Sequence, residues 1–504
     1  YADFMVNINK RIDDFTVVVN AGTSLSDNSS DLLGYGGPIR DTGVPNVFNV
    51  FDLDNAKKRA TQEGWEEMTQ SIFASAEIGW KSMLYLTLTG RNDWASQLKG
   101  SNPTSFFYPS VGLSAVISEM VTLPKAIDYL KVRGSFSSVG TPYPRFLVQP
   151  TYSYDPTKQD WNAKTHYPIG KLKPERTDSW EIGVDGTFFK DFKVSGSFYY
   201  ANTYNQTFDP KITVSSGYST LYVQTGYVRN LGVEGLLSYG HTWRDFGWNC
   251  NFTFSWNKNK IVELVKDYVH PETGEIVNKD RLELKGLGYT KFILKEGGTL
   301  GDLYTNADFI RDDKGYIQID KNGDVAKTDN LPDIKLGSVF PKANLAWNNS
   351  FSYKGIYAGF QLSARLGGIV YSATQAALDQ YGVSEASAAA RDRGGVLVNG
   401  RSWVNAQQYY EIVATSSGLP QYYTYSATNL RLQEAHIGYT IPRKWLGNIC
   451  DINVSVVGRN LWMIYCKAPF DPEAIATTSN FYQGIDYFMM PSTRNFGFNV
   501  KINF

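Results

Sequence analysis

The final ten residues, Asn495 to Phe504, leave the chain few folds to choose from. Phe496, Phe498, Val500, Ile502 and Phe504 alternate without a break with Asn495, Gly497, Asn499, Lys501 and Asn503. In an extended strand successive side chains point to opposite faces, so one face of this segment is wholly apolar and the other wholly polar. An apolar face can meet a protein core or lipid, and alternation alone does not choose. The position helps, because the sequence stops on the aromatic residue with no polar tail after it. Bacterial outer-membrane barrels end in this way, and their last strand closes the cylinder against the first. The segment is read as the seam of a transmembrane β-barrel.

The rest of the chain repeats the pattern. Predicted strands run Phe4–Lys10 and Phe15–Ala21, then, after a long loop to about residue 68, Ser71–Trp80, Met83–Asp93, Phe106–Ser118 and Tyr129–Ser138. Thr177–Phe188, Phe192–Tyr204, Tyr222–Trp243 and Trp248–Val262 follow. A very long segment, about 264–341, precedes Ala343–Tyr353 and Ile356–Leu366. Another, about 369–427, precedes Asn429–Ile441, Ile452–Met463 and the terminal strand. Short and long connections alternate, the rule for barrels with short periplasmic turns and long extracellular loops. In Trp248, Cys250, Phe252, Phe254 and Trp256 one face is entirely apolar, opposite Asn249, Asn251, Thr253, Ser255 and Asn257, and the first charges on that apolar face are Lys258 and Lys260. A cation at mid-bilayer would cost about 2–4 kcal/mol, so the apolar band ends where a slab of about 25 Å should end. Aromatics gather near the short turns, at Trp80, Phe188, Phe189, Trp243, Trp248, Tyr353, Tyr357, Tyr439 and Trp445, as a girdle at the interface. One strand resists: Leu430 and Leu432 are out of phase with Ile437, Tyr439 and Ile441, a mismatch that a β-bulge would repair.

Composition agrees. Hydrophobic residues make up 42% of the chain with 33 Tyr and 45 Gly, and mean hydropathy is −0.31. No run approaches the roughly 18 apolar residues of a membrane helix. Zero formal net charge gives no basic footprint for nucleic acid. A soluble β-sandwich would have shorter strands, nearer about five or six residues, and connections that do not sort by end. No signal peptide is visible, and the count of about 15 strands is odd where single-chain barrels have even numbers. Residues 1–504 are therefore expected to be the C-terminal part of a longer barrel, all-β and antiparallel.

Several short motifs carry a resemblance. They are Leu172-Lys173-Pro174-Glu175-Arg176-Thr177, Tyr199-Tyr200, Asn230-Leu231-Gly232-Val233-Glu234 and Leu430-Arg431-Leu432 with Gly438-Tyr439. Gly458-Arg459-Asn460-Leu461-Trp462, Asp471-Pro472-Glu473, Gly484-Ile485-Asp486-Tyr487 and Pro491-Ser492-Thr493-Arg494 complete the set. In this order the chain resembles the SusC/RagA-like TonB-dependent transporters of the outer membrane. Arg91-Asn92-Asp93 opens a further motif, but Trp94-Ala95 stands where Gly-Ser is expected. The resemblance implies a 22-stranded barrel with long extracellular loops, a plug and a TonB-binding segment upstream, and a SusD-like surface lipoprotein over the pore. No cofactor is implied.

Enzyme chemistry finds little support. The histidines are His166, His241, His270 and His436, and the Glu434–His436 pair on one strand face reads as a solvated lumen wall. Asp320-Lys321-Asn322-Gly323-Asp324 has the look of a calcium loop, but Val325 and Leu331 occupy the positions that need Gly and Glu. It reads as a turn. Cys450 and Cys466 flank a predicted strand and lie too far apart to pair, and Cys250 sits on the expected lipid face, so no disulfide or cysteine metal site is expected. Energised nutrient import is the function expected from the resemblance, with oligosaccharide, peptide or metal chelate as cargo; a passive porin or adhesin is the other class. The aromatics of segment 369–427 favour sugar, whose C–H faces stack on rings and whose hydroxyls seek amides and guanidinium groups. Trp403, Tyr409, Arg401 and Tyr381 are the expected ligand contacts.

Overall fold

The structure, a computed structural model, describes residues 1–41, 47, 49–101, 104–141, 145–147, 152–155, 160–162, 175–208, 223–269, 274, 276–288, 290–477 and 483–504. Fifteen strands form one sheet in chain order, each antiparallel to the next. They are β1 (Ala2–Ile12), β2 (Phe15–Gly36), β3 (Arg59–Trp80), β4 (Leu84–Ala95), β5 (Phe106–Val116), β6 (Ile127–Thr141), β7 (Glu175–Phe188) and β8 (Phe192–Phe208). β9 (Val223–Trp243), β10 (Phe246–Glu263), β11 (Ala343–Tyr353), β12 (Ile356–Leu366), β13 (Asn429–Ile441), β14 (Asp451–Cys466) and β15 (Asn495–Asn503) complete it.

Register gives the sheet its two faces. Asn7, Asn20, Ser75, Thr89, Ser110, Ser137 and Ser179 lie opposite one another in a row across seven strands. One residue along, the row reads Ile8, Val19, Ala76, Leu88, Val111, Phe136, Trp180 and Tyr200. A slip of one residue in any strand would put its apolar set into the polar row, so the pattern holds the register. Farther across the sheet, on the same face, Val194, Leu237, Phe252, Trp347, Leu362, Leu432 and Trp462 line up. Phe252 is thus on the apolar face and Asn251 and Thr253 on the polar one. Trp180 and Ile182 are 59% and 63% exposed, a state that lipid accommodates and water does not.

Tight turns join the strands at one end only. Lys354 and Gly355 both have positive φ, 46° and 89°, the two-residue turn whose twist matches the strands it joins. Aromatic rings crowd this end: Phe192, Tyr239 and Trp248 follow one another at ring-centre distances of 4.6 and 5.2 Å, and Trp243 stacks on Phe246 at 6.0 Å. At β13 the expected bulge is present. Leu432 faces Leu362 and Glu434 faces Gln361, which leaves Gln433 as the extra residue and restores the phase of both halves.

Two expectations change. β2 and β3 do not give way to a loop near residue 21; they stay paired out to Gly36 and Arg59 as a ribbon beyond their neighbours. Neither face of that ribbon meets a core or lipid, so its sequence, Ser26 to Asp31 above all, shows no alternation to read. β1 and β15 are the two edges of the sheet. The long connections 264–342, 367–428 and 467–494 are folded, with strands and helices of their own.

Candidate functional site

Those three connections share one hydrophobic core at the long-loop end. Phe292, Leu303, Phe309 and Val339 come from the first, Tyr371, Val398, Val404, Val413, Leu419 and Tyr423 from the second, and Ile485 from the third. Tyr371 and Ser372 pair in parallel with Ile485 and Asp486, and the buried Ser372 hydroxyl donates to the Asp486 carboxylate at 2.5 Å. The barrel wall holds the third connection by charge. Arg431, 5% exposed, lies 2.7 Å from Asp471 and 3.2 Å from Glu473, and Asn429 donates to Glu473 at 3.3 Å. Burial raises the Asp471 pKa, but hydrogen bonds from Arg431, the Glu473 amide and Ser492, with the Arg431 charge, outweigh it and hold the carboxyl below its ordinary range.

The second connection carries three short helices: α1 (Ala373–Gln380), α2 (Glu385–Asp392) and α3 (Ala406–Val413). Each begins where a side chain takes up free amides, namely Ser372 for Gln375, Ser384 for Ser387, and Asn405 for Gln407 and Gln408. The helices enclose an open cleft of about 300 Å³ with Tyr381, Tyr410, Asp379, Arg391, Gln407 and Glu411 on its wall. Asp379 is buried and accepts from the Tyr423 hydroxyl at 2.9 Å and from Gln375 at 3.3 Å. Burial first, and then the Asp379 charge, push the Tyr410 phenol up. Its hydroxyl stays protonated and can both donate and accept.

Of the four expected ligand contacts, only Tyr381 lines this cleft, and it is 76% exposed. Trp403 is also exposed, on a small hairpin opposite Leu397. Arg401 stacks on Tyr316 at 4.4 Å, on a neighbouring hairpin tied to the same turn by Asn399, which bonds both backbone groups of Ile317. Tyr409 packs against the shared core, 6.3 Å from the Phe309 ring, and burial pushes its phenol up to about 12. The structure therefore does not gather the four into one cavity. Asp379 and Glu411 enter the cleft through helices that the strand pattern does not announce; Ser372 with Gln375 three residues on is their sequence signal.

The other candidates resolve simply. The Asp320 carboxylate accepts from the amides of Asn322 and Asp324 at 2.8 and 3.0 Å, which is a turn. Glu434 takes the Arg459 guanidinium at 2.8 Å, with His436 at 3.9 Å. The three cysteines are free. Among the described residues no cluster has the makings of a metal site. Leu172, Lys173, Pro174, His166 and His270 lie outside the described residues.

Residues 4–461 match the family described as "TonB dependent receptor-like, beta-barrel". TonB-dependent receptor P3 of Formosa agariphila is 24% identical over 463 residues, covering 86% of this chain and 45% of that protein. TonB-dependent receptor SusC of Bacteroides thetaiotaomicron is 24% identical over 246 residues, 44% of this chain and 24% of that protein. The chain thus spans less than half the length of the curated relatives it matches. Among solved structures the RagAB peptide importer in its closed-closed state superimposes with a TM-score of 0.75 at 16% identity, over 100% of this chain and 55% of that one. That likeness is one of fold. The chain belongs to the TonB-dependent receptor family of outer-membrane β-barrels.

Proposed function

We propose that this chain is the barrel of a TonB-energised importer that takes oligosaccharide through the outer membrane, with a SusD-like surface lipoprotein closing its long-loop end. The observation that carries the reading is the folded loop body. Three connections with a common core, pinned to the wall through Arg431, form a built surface at one end of the pore. That surface offers Tyr381 and Trp403, the two exposed aromatics among the four expected contacts, to a sugar ring. Tyr409 and Arg401 already have protein partners and act by holding those elements in place. A peptide importer shares the fold, and the fold expresses no preference for cargo. The test is uptake of neutral oligosaccharides by cells carrying the whole protein. Uptake should stop when the proton gradient is collapsed, and the lipoprotein should co-purify in mild detergent. Trp403→Ala should weaken binding while leaving the barrel assembled. Gradient-independent uptake would turn the reading to a porin, and uptake of peptides alone would turn it to the other cargo.

A further inference from the structure

At the long-loop end of the apolar band, the lipid side of β7, β9 and β10 turns basic. The apolar row Phe136, Trp180, Tyr200 and Leu231 ends on Lys258. The next row on the same face reads Ser138, Asp178, Asn202, Arg229 and Lys260, and Arg176, opposite Tyr204, lies one row beyond. Ring contacts knit these side chains together. The Arg229 guanidinium lies 5.1 Å from the Tyr200 ring and 5.5 Å from that of Tyr227, and it donates to the Tyr227 hydroxyl at 2.6 Å and to Asn202 at 3.3 Å. Tyr204 stacks on Tyr227 at 4.9 Å, with Arg176 over it at 5.7 Å. Arg176 is already paired, 2.7 Å from Asp178. Arg229 is held only by neutral groups, and among the described residues no carboxylate pairs with it, with Lys258 or with Lys260. Among the described residues of β1 to β6, this face carries no Lys or Arg beyond the band; Asn92, Trp94 and Phe107 stand there instead.

We infer that this patch seats the phosphorylated headgroup of a lipid of the outer leaflet, whose acyl chains lie along the exposed Trp180, Ile182 and Phe198 below it. Paired strands run about 4.8 Å apart and alternate residues about 6.8 Å apart along a strand. Arg229, Lys258 and Lys260 therefore converge on a spot the size of one phosphate. Arg229 brings a planar fork whose direction Tyr227 and Asn202 fix, and the two lysines bring point charges on flexible stems. The tyrosines suit headgroup depth, where a ring can meet acyl chain and a hydroxyl can meet water. The occupant is a lipid and not a free anion because the cations and the apolar rows share one face: each unpaired cation near an anionic leaflet adds attraction, and the rings beneath hold the chains. The site sits on the outside of the barrel, so it is independent of whatever passes through the pore.

The experiment is titration of the detergent-purified full-length protein with fluorescent lipid A that carries its phosphates, with the same lipid dephosphorylated, and with inorganic phosphate in excess as competitor. Lys258→Gln combined with Lys260→Gln removes two exposed charges, and heat-modifiable mobility reports whether the barrel is assembled. The phosphorylated lipid should bind the wild type, and the double variant should bind it about 25-fold more weakly, about fivefold for each cation removed. The dephosphorylated lipid should bind wild type and variant alike, and no more tightly than the variant binds the phosphorylated form. Lys193→Gln, on the polar face of the sheet, should leave the affinity unchanged. An unchanged Kd in the assembled double variant overturns the site, as does an equal loss in Lys193→Gln. Equal binding of the two lipids by the wild type means that the apolar face alone holds them, and displacement by inorganic phosphate means a free-anion site; either overturns the proposal, and so does the absence of binding. If the double variant does not assemble, Lys258→Gln alone is titrated, with about a fivefold loss expected and no loss overturning the assignment.

Discussion

Replacing Asp471 by Asn should release the third long connection from the barrel without melting the barrel. Arg431 is buried, and Asp471 and Glu473 lie 2.7 and 3.2 Å from it. Breaking a buried ion pair by removing one partner costs about 3–5 kcal/mol when the other charge is left alone. Here Glu473 remains, and the Asn side chain keeps one acceptor oxygen, so about 2 kcal/mol is the expected local loss. That corresponds to about 30-fold faster opening of the segment. Hydrogen exchange measures it at two amides that report docking: Tyr371, which bonds Gly484 at 2.9 Å, and Ala476, which bonds Ile485 at 2.8 Å. Amides of the β14–β15 ladder, such as Val454 opposite Val500, serve as controls. Exchange within about twofold of wild type at Tyr371 and Ala476 would refute the reasoning, because the charge pair would then not be what holds the segment. The same pair sets a pH dependence. The Asp471 pKa is held below its ordinary 3.8, so its contribution is fully present above that value and disappears as pH falls through the lower, folded value. In the Asn variant docking should show no such acid step.

Other perturbations test the barrel and the loop body. Phe252→Arg places a cation in the middle of the apolar face and should cost about 2–4 kcal/mol in folding into lipid vesicles, while Thr253→Arg on the polar face should cost little. Equal effects from the two would contradict the assigned faces. Deleting Lys501–Phe504 removes the pairs with Asp451, Ile452 and Asn453 and should abolish assembly, seen as loss of the heat-modifiable band, because unpaired backbone in lipid is not tolerated. Tyr423→Phe takes one of the two donors from the buried Asp379 carboxylate and should destabilise the loop body by about 1–3 kcal/mol. Thermal unfolding followed by proteolysis of segment 367–428 would detect it, and an unchanged midpoint would dismiss the role of that bond.

Wherever a strand crosses the apolar band, the sequence by itself determines its place. Trp248 to Trp256 and Phe496 to Phe504 alternate because each side chain must match either lipid or the polar interior, and a single misplaced charge is expensive. Even the break at Leu432 was legible as a phase error, since a bulge restores what the alternation demands. Outside the band that constraint lapses. Ser26 to Asp31 continues β2 with nothing on either face to impose a period, so only the pairing partner, β3, reveals it as strand. The loop body is the larger case. Its core joins Phe309, Tyr371 and Ile485, residues far apart in sequence that no local pattern relates. For the same reason Tyr409, expected to meet ligand, lies against Phe309, while Tyr381 on the same connection stands exposed over a cleft. Composition announced an aromatic surface, but which rings face solvent depends on how three distant segments close over one another, and that is a property of the tertiary structure alone.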